Sequence, residues 1–417
     1  MRILFVHQNC PGQYKHLAPY LAAKPGNQVV FITQPDKPAV PKVRQAVYTL
    51  KRKASPETHF YLHNFEEGVL HGQAVARIAY QLKHRGFVPD VICAHPGWGE
   101  ALYLKDVFST TPLLGYCEFY YRARGSDVGF DPSRKVTLDD ICRVRTKNGV
   151  QLLSLEAADA GISPTRWQRS QFPTILLDRI HVIHDGIDTA VAAPSPGATA
   201  TLRNGHKIAA GDEIVTFVAR NLEPYRGFPS FMRAVALSAR RRPNCHYVIV
   251  GGDGVSYGAA AGGGKTYRQI MLEEVTIDPA RVHFLGRVPY KGFIRLLQVS
   301  AAHIYLTYPF VLSWSMLEAM SAGCLIIGSN TTPVAEMIED GKNGLLVDFF
   351  SPEQIADRID EALDHKDRMA ALRRRARQTV IERYELQDCL QQQVRLIESL
   401  ARGQRASQPK ARRATGD

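Results

Sequence analysis

Short apolar segments alternate with helical segments along most of this chain. Ile3–His7 is apolar, a turn follows at Pro11 and Gly12, and Leu17 and Leu21 recur with helical spacing. Strands that are apolar on both faces and alternate with helices are typical of a parallel sheet that helices cover on both sides. The sequence therefore predicts an α/β protein of the doubly wound type.

The alternation occurs twice, and a segment rich in Ala, Pro, Gly and Thr, Ala192–Gly205, lies between the two series. The first series has strands at Ile3–His7, Val29–Thr33, Val91–Ala94, Leu113–Tyr116, Gly161–Ser163 and Ile180–Ile183, with a helix at Gly72–Arg85. The second has strands at Ile214–Ala219, Tyr247–Val250, Val282–Leu285, His303–Leu306 and Leu325–Ile327, with helices at Pro229–Ala239, Pro352–Leu363 and Asp367–Arg383. Because such a composition is typical of a linker, we expect two Rossmann-like domains.

The expected domains are residues 1–192 and 206–385. A last helix, Leu386–Ala401, is long enough to return to the first domain, and 402–417 is expected to be a disordered basic tail. Ligands of open parallel sheets bind beyond the carboxyl ends of the strands, so we expect the functional site in a cleft between the domains. The polar segment Asp127–Val144 is expected to be a long functional loop.

Composition narrows the function classes. The 417 residues include seven cysteines, an odd number without CxxC spacing, which favours a reducing cytoplasm over disulfides or a zinc site. No apolar run is long enough for a membrane helix, and Met1–His7 is typical of a strand rather than a leader. The net charge of +12 favours anionic partners: nucleic acid, an acidic membrane or phosphorylated small molecules.

A single carboxylate, Glu318, lies in the otherwise uncharged segment Tyr308–Cys324. The turn at Pro309 and the serine at 313 are typical of a helix start. The free N–H groups of such a start would face an anion, and a carboxylate about one and a half turns later could bind two ribose hydroxyls. The alternative is a glutamate on the solvent face of a helix.

Two arginines follow the first strand of the second series. Arg220 ends the strand and Arg226 lies on the turn before a helix, where two guanidinium groups would suit a diphosphate. A pair of surface arginines is the alternative. After the next strand, Gly252 belongs to a turn expected near the cleft, whereas Gly264-Lys265-Thr266 lacks P-loop spacing.

Several catalytic signatures are absent. The sequence has no DxD, no HExxH and no His/Cys cluster with ligand spacing, so we expect no metal. It has no GxSxG and no nucleophile with an evident base.

Together, segments of both halves carry a resemblance to a known family. The chain resembles a retaining glycosyltransferase of the GT-B fold, family 4, also named glycosyl transferases group 1. The matching segments are VARNLEPYRGF, YVIVGGDG, VHFLGRVP and LEAMSAGCLIIGSNTTPVAEMIEDGKNGLLVD in the second half, and more loosely RILFVHQNCPGQYKHLAPYL and RIHVIHDGID in the first. The resemblance implies two Rossmann-like domains that face a central cleft, with the nucleotide-sugar donor bound by the second.

The resemblance also implies roles for individual residues. Arg220 and Arg226 would bind the donor diphosphate, although Arg226 stands one residue beyond the usual lysine. The remaining donor contacts are implied for Gly12 and Gln13 (phosphate loop), Arg287 and Val288 (nucleobase) and Glu318 (ribose), and we add Gly252 and the backbone amides of Val311, Leu312 and Ser313.

Two positions depart from the family pattern. Phe310 replaces the first Glu of an E-x7-E motif, the residue that contacts the transferred sugar, and Glu118 replaces a family His. His95 matches an earlier family His at the mouth of the cleft, or else is a strand-end histidine. We place Glu118 and His95 with Arg220 and Arg226 as candidate catalytic residues.

The expected reaction moves a sugar from a UDP- or GDP-sugar to a hydroxyl with retention of anomeric configuration and without a metal. The acceptor would be a glycan or a lipid-linked glycan, bound near Trp98, Tyr120 and Arg122. The protein would be cytoplasmic, and a peripheral contact with the inner face of the membrane is compatible with its charge.

Three other functions remain open at this stage. A non-catalytic relative would bind nucleotide sugars without transferring them, which Phe310 and Glu118 favour. An epimerase of the same fold would consume donor without an acceptor. A nucleic-acid binder would fit the charge, but no patch of interleaved aromatic and basic residues supports it.

Overall fold

The computed structural model describes residues 1–202 and 204–407, and for 404–407 it describes the backbone alone. The chain divides into two compact units. Unit 1 consists of Met1–Asp185 and the segment that starts at Gln387, and unit 2 is Gly186–Leu386. Among the described residues, no helix is both long enough and apolar enough to cross a membrane.

Unit 1 is built on a parallel sheet of seven strands in the order β3-β2-β1-β4-β5-β6-β7. The strands are β1 (Arg2–Val6), β2 (Gln28–Thr33), β3 (Val43–Val47), β4 (Val91–Ala94), β5 (Leu113–Tyr116), β6 (Ala160–Ser163) and β7 (Ile180–Val182). Ile3 pairs with Val29 of β2 on one side and with Val91 of β4 on the other. Strands β4, β5 and β6 are buried along their whole length, as expected for strands covered on both faces.

Unit 2 contains a second parallel sheet, with the order β12-β11-β10-β13-β14-β15, and a separate antiparallel pair, β8 and β9. Its strands are β8 (Thr199–Thr201), β9 (Lys207–Ala209), β10 (Ile214–Asn221), β11 (His246–Gly252), β12 (Val282–Gly286), β13 (Ala302–Tyr305), β14 (Leu325–Ser329) and β15 (Leu345–Val347). Both parallel sheets reverse their strand order at one place, between β1 and β4 in unit 1 and between β10 and β13 in unit 2. Ligands of doubly wound sheets bind at such switch points.

Helices connect the strands of both sheets. In unit 1 they are α1 (Leu17–Ala23), α2 (His63–His84), α3 (Leu104–Val107), α4 (Leu138–Lys147), α5 (Gly149–Glu156), α6 (Arg166–Ser170) and α7 (Thr174–Leu177). In unit 2 they are α8 (Phe228–Arg241), α9 (Tyr267–Glu274), α10 (Tyr290–Val299), α11 (Trp314–Ser321), α12 (Thr332–Ala335), α13 (Pro352–Asp364) and α14 (Lys366–Tyr384). The last helix, α15 (Leu386–Ser407), belongs to unit 1 from Gln387 onward. Short 3₁₀ helices occur at Gly12–Tyr14, Pro96–Trp98, Pro224–Arg226 and Gly262–Gly264.

Each unit has a hydrophobic core of its own. In unit 1, side chains of the central strands such as Leu4 and Ile92 pack with Val75 and Ala79 of α2. In unit 2, Leu317 and Met320 of α11 pack with Ile326 of β14 and Val380 of α14. The α/β fold was predicted from apolar strands and from apolar residues with helical spacing, and such residues form these cores.

Two elements differ from the predicted bounds because their polar residues hide the helical periodicity. Helix α2 starts at His63 rather than at Gly72. The last seven residues of the predicted loop Asp127–Val144 are helical instead, because α4 starts at Leu138. A capping box fixes this start: the Thr137 hydroxyl accepts from the Asp140 N–H at 3.1 Å, and the Asp140 carboxylate accepts from the Thr137 N–H at 3.0 Å.

The boundaries between the predicted domains also move. The chain divides at Asp185 and Gly186, and the predicted linker Ala192–Gly205 lies within unit 2, where β8 pairs with β9. Helix α15 continues past the predicted end at Ala401 to Ser407, so the predicted tail 402–417 starts too early. The rest of that tail, 408–417, lies outside the described residues.

Contacts between backbone atoms hold the segment after β4 against α2. Gly99 has φ of +99°, and a Cβ atom there would lie 2.1 Å from the carbonyl oxygen of Gly68. A Cβ atom on Gly72 would in turn lie 2.8 Å from the carbonyl oxygen of Gly99. The segment that carries Trp98 is therefore fixed by an approach that only glycines allow.

Replacing Gly99 by alanine should destabilise unit 1 strongly. The left-handed backbone and the collision with α2 should together lower the free energy of unfolding by roughly 3 kcal/mol or more. The matched control is Gly26→Ala, because Gly26 has φ of +77° but nothing within 4 Å of its Cβ position. It should lose only about 1 kcal/mol. Urea unfolding followed by tryptophan fluorescence measures both, and equal losses would contradict the role of the close approach.

Candidate functional site

In unit 1, three polar residues follow the carboxyl ends of three neighbouring strands. His7 follows β1, His95 follows β4, and Glu118 lies two residues after β5. Because β1 pairs with β4 and β4 pairs with β5, the three side chains lie at the same edge of the sheet. We call His7, Gln13, His95, Trp98 and Glu118 the unit 1 constellation.

Glu118 is held at both of its carboxylate oxygens. Gln13 Nε2 donates to Oε1 at 2.7 Å, and Nε2 of His95 lies 3.4 Å from Oε2. Burial acts to raise the pKa of the Glu118 carboxyl, but the contacts with His95 and Gln13 outweigh burial and lower the pKa below its ordinary value. Glu118 is therefore an anion at neutral pH, fixed in one orientation.

The bonding of His95 assigns its tautomer. Its Nδ1 accepts a hydrogen bond from the Gly97 N–H at 3.0 Å, so the neutral ring carries its proton on Nε2, the atom that faces Glu118. The ring stacks on Trp98 with centroids 4.1 Å apart. Because its Nε2 faces Glu118, His95 helps to position that carboxylate, and a catalytic role for His95 stays a prediction.

His7 belongs to this constellation, although the sequence did not indicate it. It is buried, its ring lies 5.3 Å from that of His95, and its Nδ1 accepts from the Asn9 N–H at 2.8 Å. Burial, with the nearby His95, lowers the pKa of His7 to about 3. A Cβ atom on Gly12, where φ is +53°, would lie 2.8 Å from this ring, so Gly12 is required for close packing on His7. Its predicted contact with a donor phosphate stays a prediction.

The segment that carries Glu118 is fixed through its backbone. Gln168 Nε2 donates to the carbonyl of Glu118 at 2.6 Å, and Gln151 Nε2 donates to that of Phe119 at 3.0 Å. Asn148 accepts from the N–H of Tyr121 and donates to its carbonyl. These three amide side chains position Glu118, and they could not be recognised from the sequence because they are distant from Glu118 along the chain.

The three residues predicted to bind the acceptor, Trp98, Tyr120 and Arg122, differ from one another in exposure and in contacts. Trp98 is 36% exposed and stacks on His95. Tyr120 packs on Phe172 with ring centroids 5.6 Å apart. The guanidinium of Arg122 donates to the carbonyls of Gln171 at 2.8 Å and of Ser170 at 3.1 Å, so the contacts the structure shows for it are structural. Acceptor binding by these residues stays a prediction.

In unit 2, the two predicted cations differ in exposure. Arg220 is exposed on β10, and none of the residues that the structure describes pairs with it. Arg226 is buried and donates through Nη1 to Thr307 Oγ1 at 2.7 Å and to the carbonyl of Val311 at 3.1 Å. Arg226 therefore fixes the segment that leads into α11, and its guanidinium lies 5.1 Å from the Tyr257 ring centroid.

A buried carboxylate that the sequence did not indicate organises the loop after β11. Glu223 accepts backbone N–H groups of Ser256 at 3.0 Å, Tyr257 at 3.1 Å and Gly258 at 3.0 Å. Three such bonds compensate for the burial of a charge. They hold the Tyr257 ring against Arg226 and against Phe310, whose centroid is 5.0 Å away.

Phe310, in the position of the expected glutamate, is buried in an aromatic cluster. Its ring lies edge-on to Tyr225 at 5.5 Å, and Tyr225 stacks on Tyr308 at 4.6 Å. The place of a hydroxyl-binding carboxylate is therefore apolar.

Gly252 and Arg287 lie together at the ends of β11 and β12. A Cβ atom on Gly252 would lie 3.1 Å from Arg287 Nε and 2.7 Å from Asn221 Oδ1. Arg287 is exposed, whereas Val288 packs partly against the core.

Glu318 lies on α11 and is buried, so the alternative of a solvent-facing glutamate is wrong. Its Oε1 accepts from the Tyr290 hydroxyl at 2.9 Å. Ser313 is the N-cap residue of α11, and its own N–H donates to the Tyr305 hydroxyl at 2.7 Å. Leu312 is buried and Val311 half-buried, with the Val311 carbonyl bound to Arg226.

Within 1–202 and 204–407, no group of three or more His, Cys, Asp or Glu side chains is arranged to hold a metal ion. The cationic and amide groups described above are the features that could balance a bound anion.

Two family profiles match the chain. Residues 25–192 match the profile described as glycosyl transferase family 4 group, and residues 199–379 match the one described as glycosyl transferases group 1. The chain belongs to the group 1 glycosyltransferases of family 4. The first profile spans strands β2 to β7 of unit 1 and the second spans strands β8 to β15 of unit 2, so the family assignment rests on both units.

Curated relatives align with part of this chain. D-inositol 3-phosphate glycosyltransferase of Corynebacterium glutamicum (strain R) is 30% identical over 192 residues, which are 45% of this chain and 44% of that protein. GDP-mannose-dependent alpha-(1-6)-phosphatidylinositol monomannoside mannosyltransferase of Mycobacterium tuberculosis (strain ATCC 25618 / H37Rv) is 26% identical over 204 residues, 45% of this chain and 47% of that protein. The matches span less than half the length of these relatives.

Solved structures share the fold over nearly the whole chain. Sucrose-phosphate synthase from Thermosynechococcus elongatus has a TM-score of 0.73 at 17% identity and covers 97% of this chain and 100% of its own. Anabaena HepE in complex with UDP and glucose has a TM-score of 0.68 at 17% identity and covers 96% of this chain and 100% of its own. The fold is thus GT-B, with two Rossmann-like units as predicted.

The neutral state of His7 predicts a dependence of stability on pH. An unfolded histidine binds a proton near pH 6.5, whereas folded His7 does so only near pH 3, so stability falls as the pH falls between these values. His7→Gln should reduce this fall by roughly 3 kcal/mol between pH 6.5 and 4. Urea unfolding at a series of pH values measures it. The control is His181→Gln, an exposed histidine on β7; an equally reduced slope in both variants would contradict the assignment.

Proposed function

We propose that this protein is a retaining glycosyltransferase that moves a sugar from a UDP- or GDP-sugar to a hydroxyl of a glycan or lipid-linked acceptor. The observation that carries the proposal lies in unit 2. The carboxyl ends of neighbouring strands hold the exposed cation Arg220, which pairs with none of the described residues, and the pair Gly252–Arg287. Buried Glu318 lies on α11, which follows the next strand of the same sheet. Membership in the group 1 glycosyltransferases supports the same reaction.

The donor fits this edge of unit 2. Arg220 would bind the diphosphate with two N–H groups, and the start of α11 would face it with the positive end of the helix dipole. Glu318 would accept hydrogen bonds from the ribose hydroxyls. Its Oε1, which now accepts from the Tyr290 hydroxyl, would either give up that bond or accept from both hydroxyls. The turn at Arg287 and Val288 would hold the nucleobase.

Fixed positive groups of the protein would allow the bond between the sugar and the diphosphate to break without a metal. Breaking that bond leaves negative charge on the diphosphate, and fixed cations and amides stabilise it as it develops. One such donor contributes about 10²–10³ in rate in other enzymes. Arg220 is the candidate for direct contact, whereas Arg226 would act by fixing the segment of Val311.

The unit 1 constellation would bind the acceptor. Glu118 is an anion held by Gln13 and His95, and it would orient an acceptor hydroxyl that attacks from the face the phosphate leaves. The departing phosphate would take the proton of that hydroxyl. Trp98, exposed beside Glu118, offers an aromatic face to a sugar ring.

The acceptor class is inferred from relatives and from charge. The names of two relatives give an inositol phosphate and a phosphatidylinositol mannoside as their substrates. The net charge of +12 is compatible with an acceptor that carries phosphate and with a cytoplasmic enzyme in peripheral contact with an acidic membrane.

The test of this function is an incubation with a panel of UDP- and GDP-sugars, with inositol phosphate and lipid-linked glycan phosphates as acceptors. We expect release of nucleoside diphosphate only when an acceptor is present, and NMR of the product should show the anomeric configuration of the donor. The rate should be unchanged by a chelator, since fixed cations balance the charge. Loss of activity with the chelator and recovery with manganese would contradict the metal-independent scheme.

The same incubation separates the rival functions. Binding of a nucleotide sugar without release of nucleotide would identify a non-catalytic relative, for which the apolar Phe310 position is the supporting feature. Consumption of the donor without an acceptor would identify an epimerase.

Arg220→Ala should lower kcat by about 10²–10³ because it removes the unpaired cation from the developing charge. The matched control is Arg240→Ala, an exposed arginine of α8 that lies in the same unit. Its kcat should equal that of the wild type, and circular dichroism should show both variants folded. A folded Arg220→Ala variant with near-normal turnover would exclude Arg220 from the reaction.

A further inference from the structure

A chain of three hydrogen-bonded side chains runs through unit 1 beside the constellation. The Tyr48 hydroxyl lies 2.9 Å from Nδ1 of His71 and 3.0 Å from Glu100 Oε1, to which it donates when Glu100 is a carboxylate. Tyr48 and Glu100 are buried, whereas His71 on α2 is half-buried. These hydrogen bonds therefore link the half-buried imidazole of His71 to the carboxyl group of Glu100, which water does not reach.

The surroundings of Glu100 favour its protonated form. Its side chain is 0% exposed, and Oε2 has no hydrogen-bond partner among the described residues. Burial raises the pKa of Glu100; its own backbone N–H, His71, Tyr48 and His95 act in the opposite direction but do not cancel the effect of burial. A protonated carboxyl group needs one fewer donor than a carboxylate, which suits an oxygen without a partner.

The position of Glu100 in the amino-acid sequence places it next to residues of the candidate acceptor site. Glu100 follows Trp98 and Gly99 directly, and the Gly99 backbone is locked against Gly68 of α2. His95, which acts to lower the pKa of Glu100, belongs to the same segment and faces Glu118. A change of charge at Glu100 would thus alter the potential beside Glu118 without a large movement.

We propose that His71, Tyr48 and Glu100 form a proton relay, in which a buried carboxyl beside the segment of His95 and Trp98 exchanges its proton with solvent through His71. The relay itself stands independently of the transfer reaction, but its effect on catalysis rests on the proposed function. Glu100 and His71 are its ends, and the Tyr48 hydroxyl passes the proton between them.

Each step of the relay transfers one proton in net terms, either from Glu100 to His71 or back. When Glu100 is protonated, its O–H donates to the Tyr48 oxygen, and the Tyr48 hydroxyl donates to unprotonated Nδ1 of neutral His71. Transfer breaks the Glu100 O–H bond and the Tyr48 O–H bond, re-forms the latter with the proton from Glu100, and places the former Tyr48 proton on Nδ1. The products are a Glu100 carboxylate and a His71 imidazolium, which releases a proton to water.

The test follows the two ends separately in the folded chain. Infrared spectroscopy detects the protonated carboxyl band, which Glu100→Gln should remove, and NMR of labelled histidine follows His71. Because the two groups share a proton, both signals should change at the same pH values in the wild type. In Tyr48→Phe the hydroxyl that joins them is absent, and the two midpoints should separate by at least about one pH unit.

Tyr247→Phe is the matched control, since Tyr247 is an equally buried tyrosine of unit 2 whose hydroxyl donates to Ser238 Oγ at 2.7 Å. It should leave both midpoints unchanged. If Tyr48→Phe does not fold, His71→Gln serves instead: it retains a polar partner for Tyr48 but does not titrate, so the midpoint of the carboxyl band should shift.

Three results would overturn the relay. They are the absence of a carboxyl band that Glu100→Gln removes, coincident midpoints in a folded Tyr48→Phe variant, and an unshifted band in His71→Gln. In an active preparation, Tyr48→Phe should also shift the pH profile of kcat while KM stays constant. An inactive protein with the expected infrared and NMR behaviour would contradict the proposed transfer function and leave the relay supported.

Discussion

Parallel pairing of strands is the constraint on which both candidate constellations depend. In a parallel sheet all the strands end at the same edge, so the residues that follow them are neighbours although they are distant along the chain. In unit 1 this brings His7, His95 and Glu118 together at one edge. In unit 2 it places Arg220, Gly252 and Arg287 at neighbouring strand ends. The strand order reverses beside β1 and β10, which is where ligands of doubly wound sheets bind.

Within that frame, the two units stabilise charge in different ways. Unit 1 keeps a carboxylate ionised by placing Gln13 against one oxygen of Glu118 and His95 near the other, while neighbouring His7 stays neutral because its burial penalises an imidazolium. Unit 2 buries a guanidinium, Arg226, and surrounds it with carbonyl, hydroxyl and aromatic groups. Buried charges of this kind cost stability unless every donor or acceptor is used, so they restrict which conformations the strand-end loops can adopt.

The sequence predicted the central elements well because they bury whole apolar strands and periodic helix faces. Strand β3 was missed since it lies at the edge of its sheet and none of its residues is fully buried, and α4 was missed since its start depends on a polar capping box. Among the site residues, Glu318 could be singled out as the lone carboxylate of an uncharged segment. His7, Glu223 and Gln168 could not, because what distinguishes them is a partner elsewhere in the chain: the ring of His95, the amides of 256–258 and the carbonyl of Glu118.

The sequence by itself determined that this chain forms two parallel α/β sheets and that it resembles the group 1 glycosyltransferases, because apolar periodicity and local motifs are properties of neighbouring residues. Only the tertiary structure decided which polar side chains are buried, which of their atoms have partners and hence which charge each one carries. Arg220 and Arg226 look alike in sequence, yet one is exposed and unpaired among the described residues and the other is buried and bonded to Val311. The physical reason is that desolvation and hydrogen bonding are set by atoms that the fold brings close, whatever their separation along the chain.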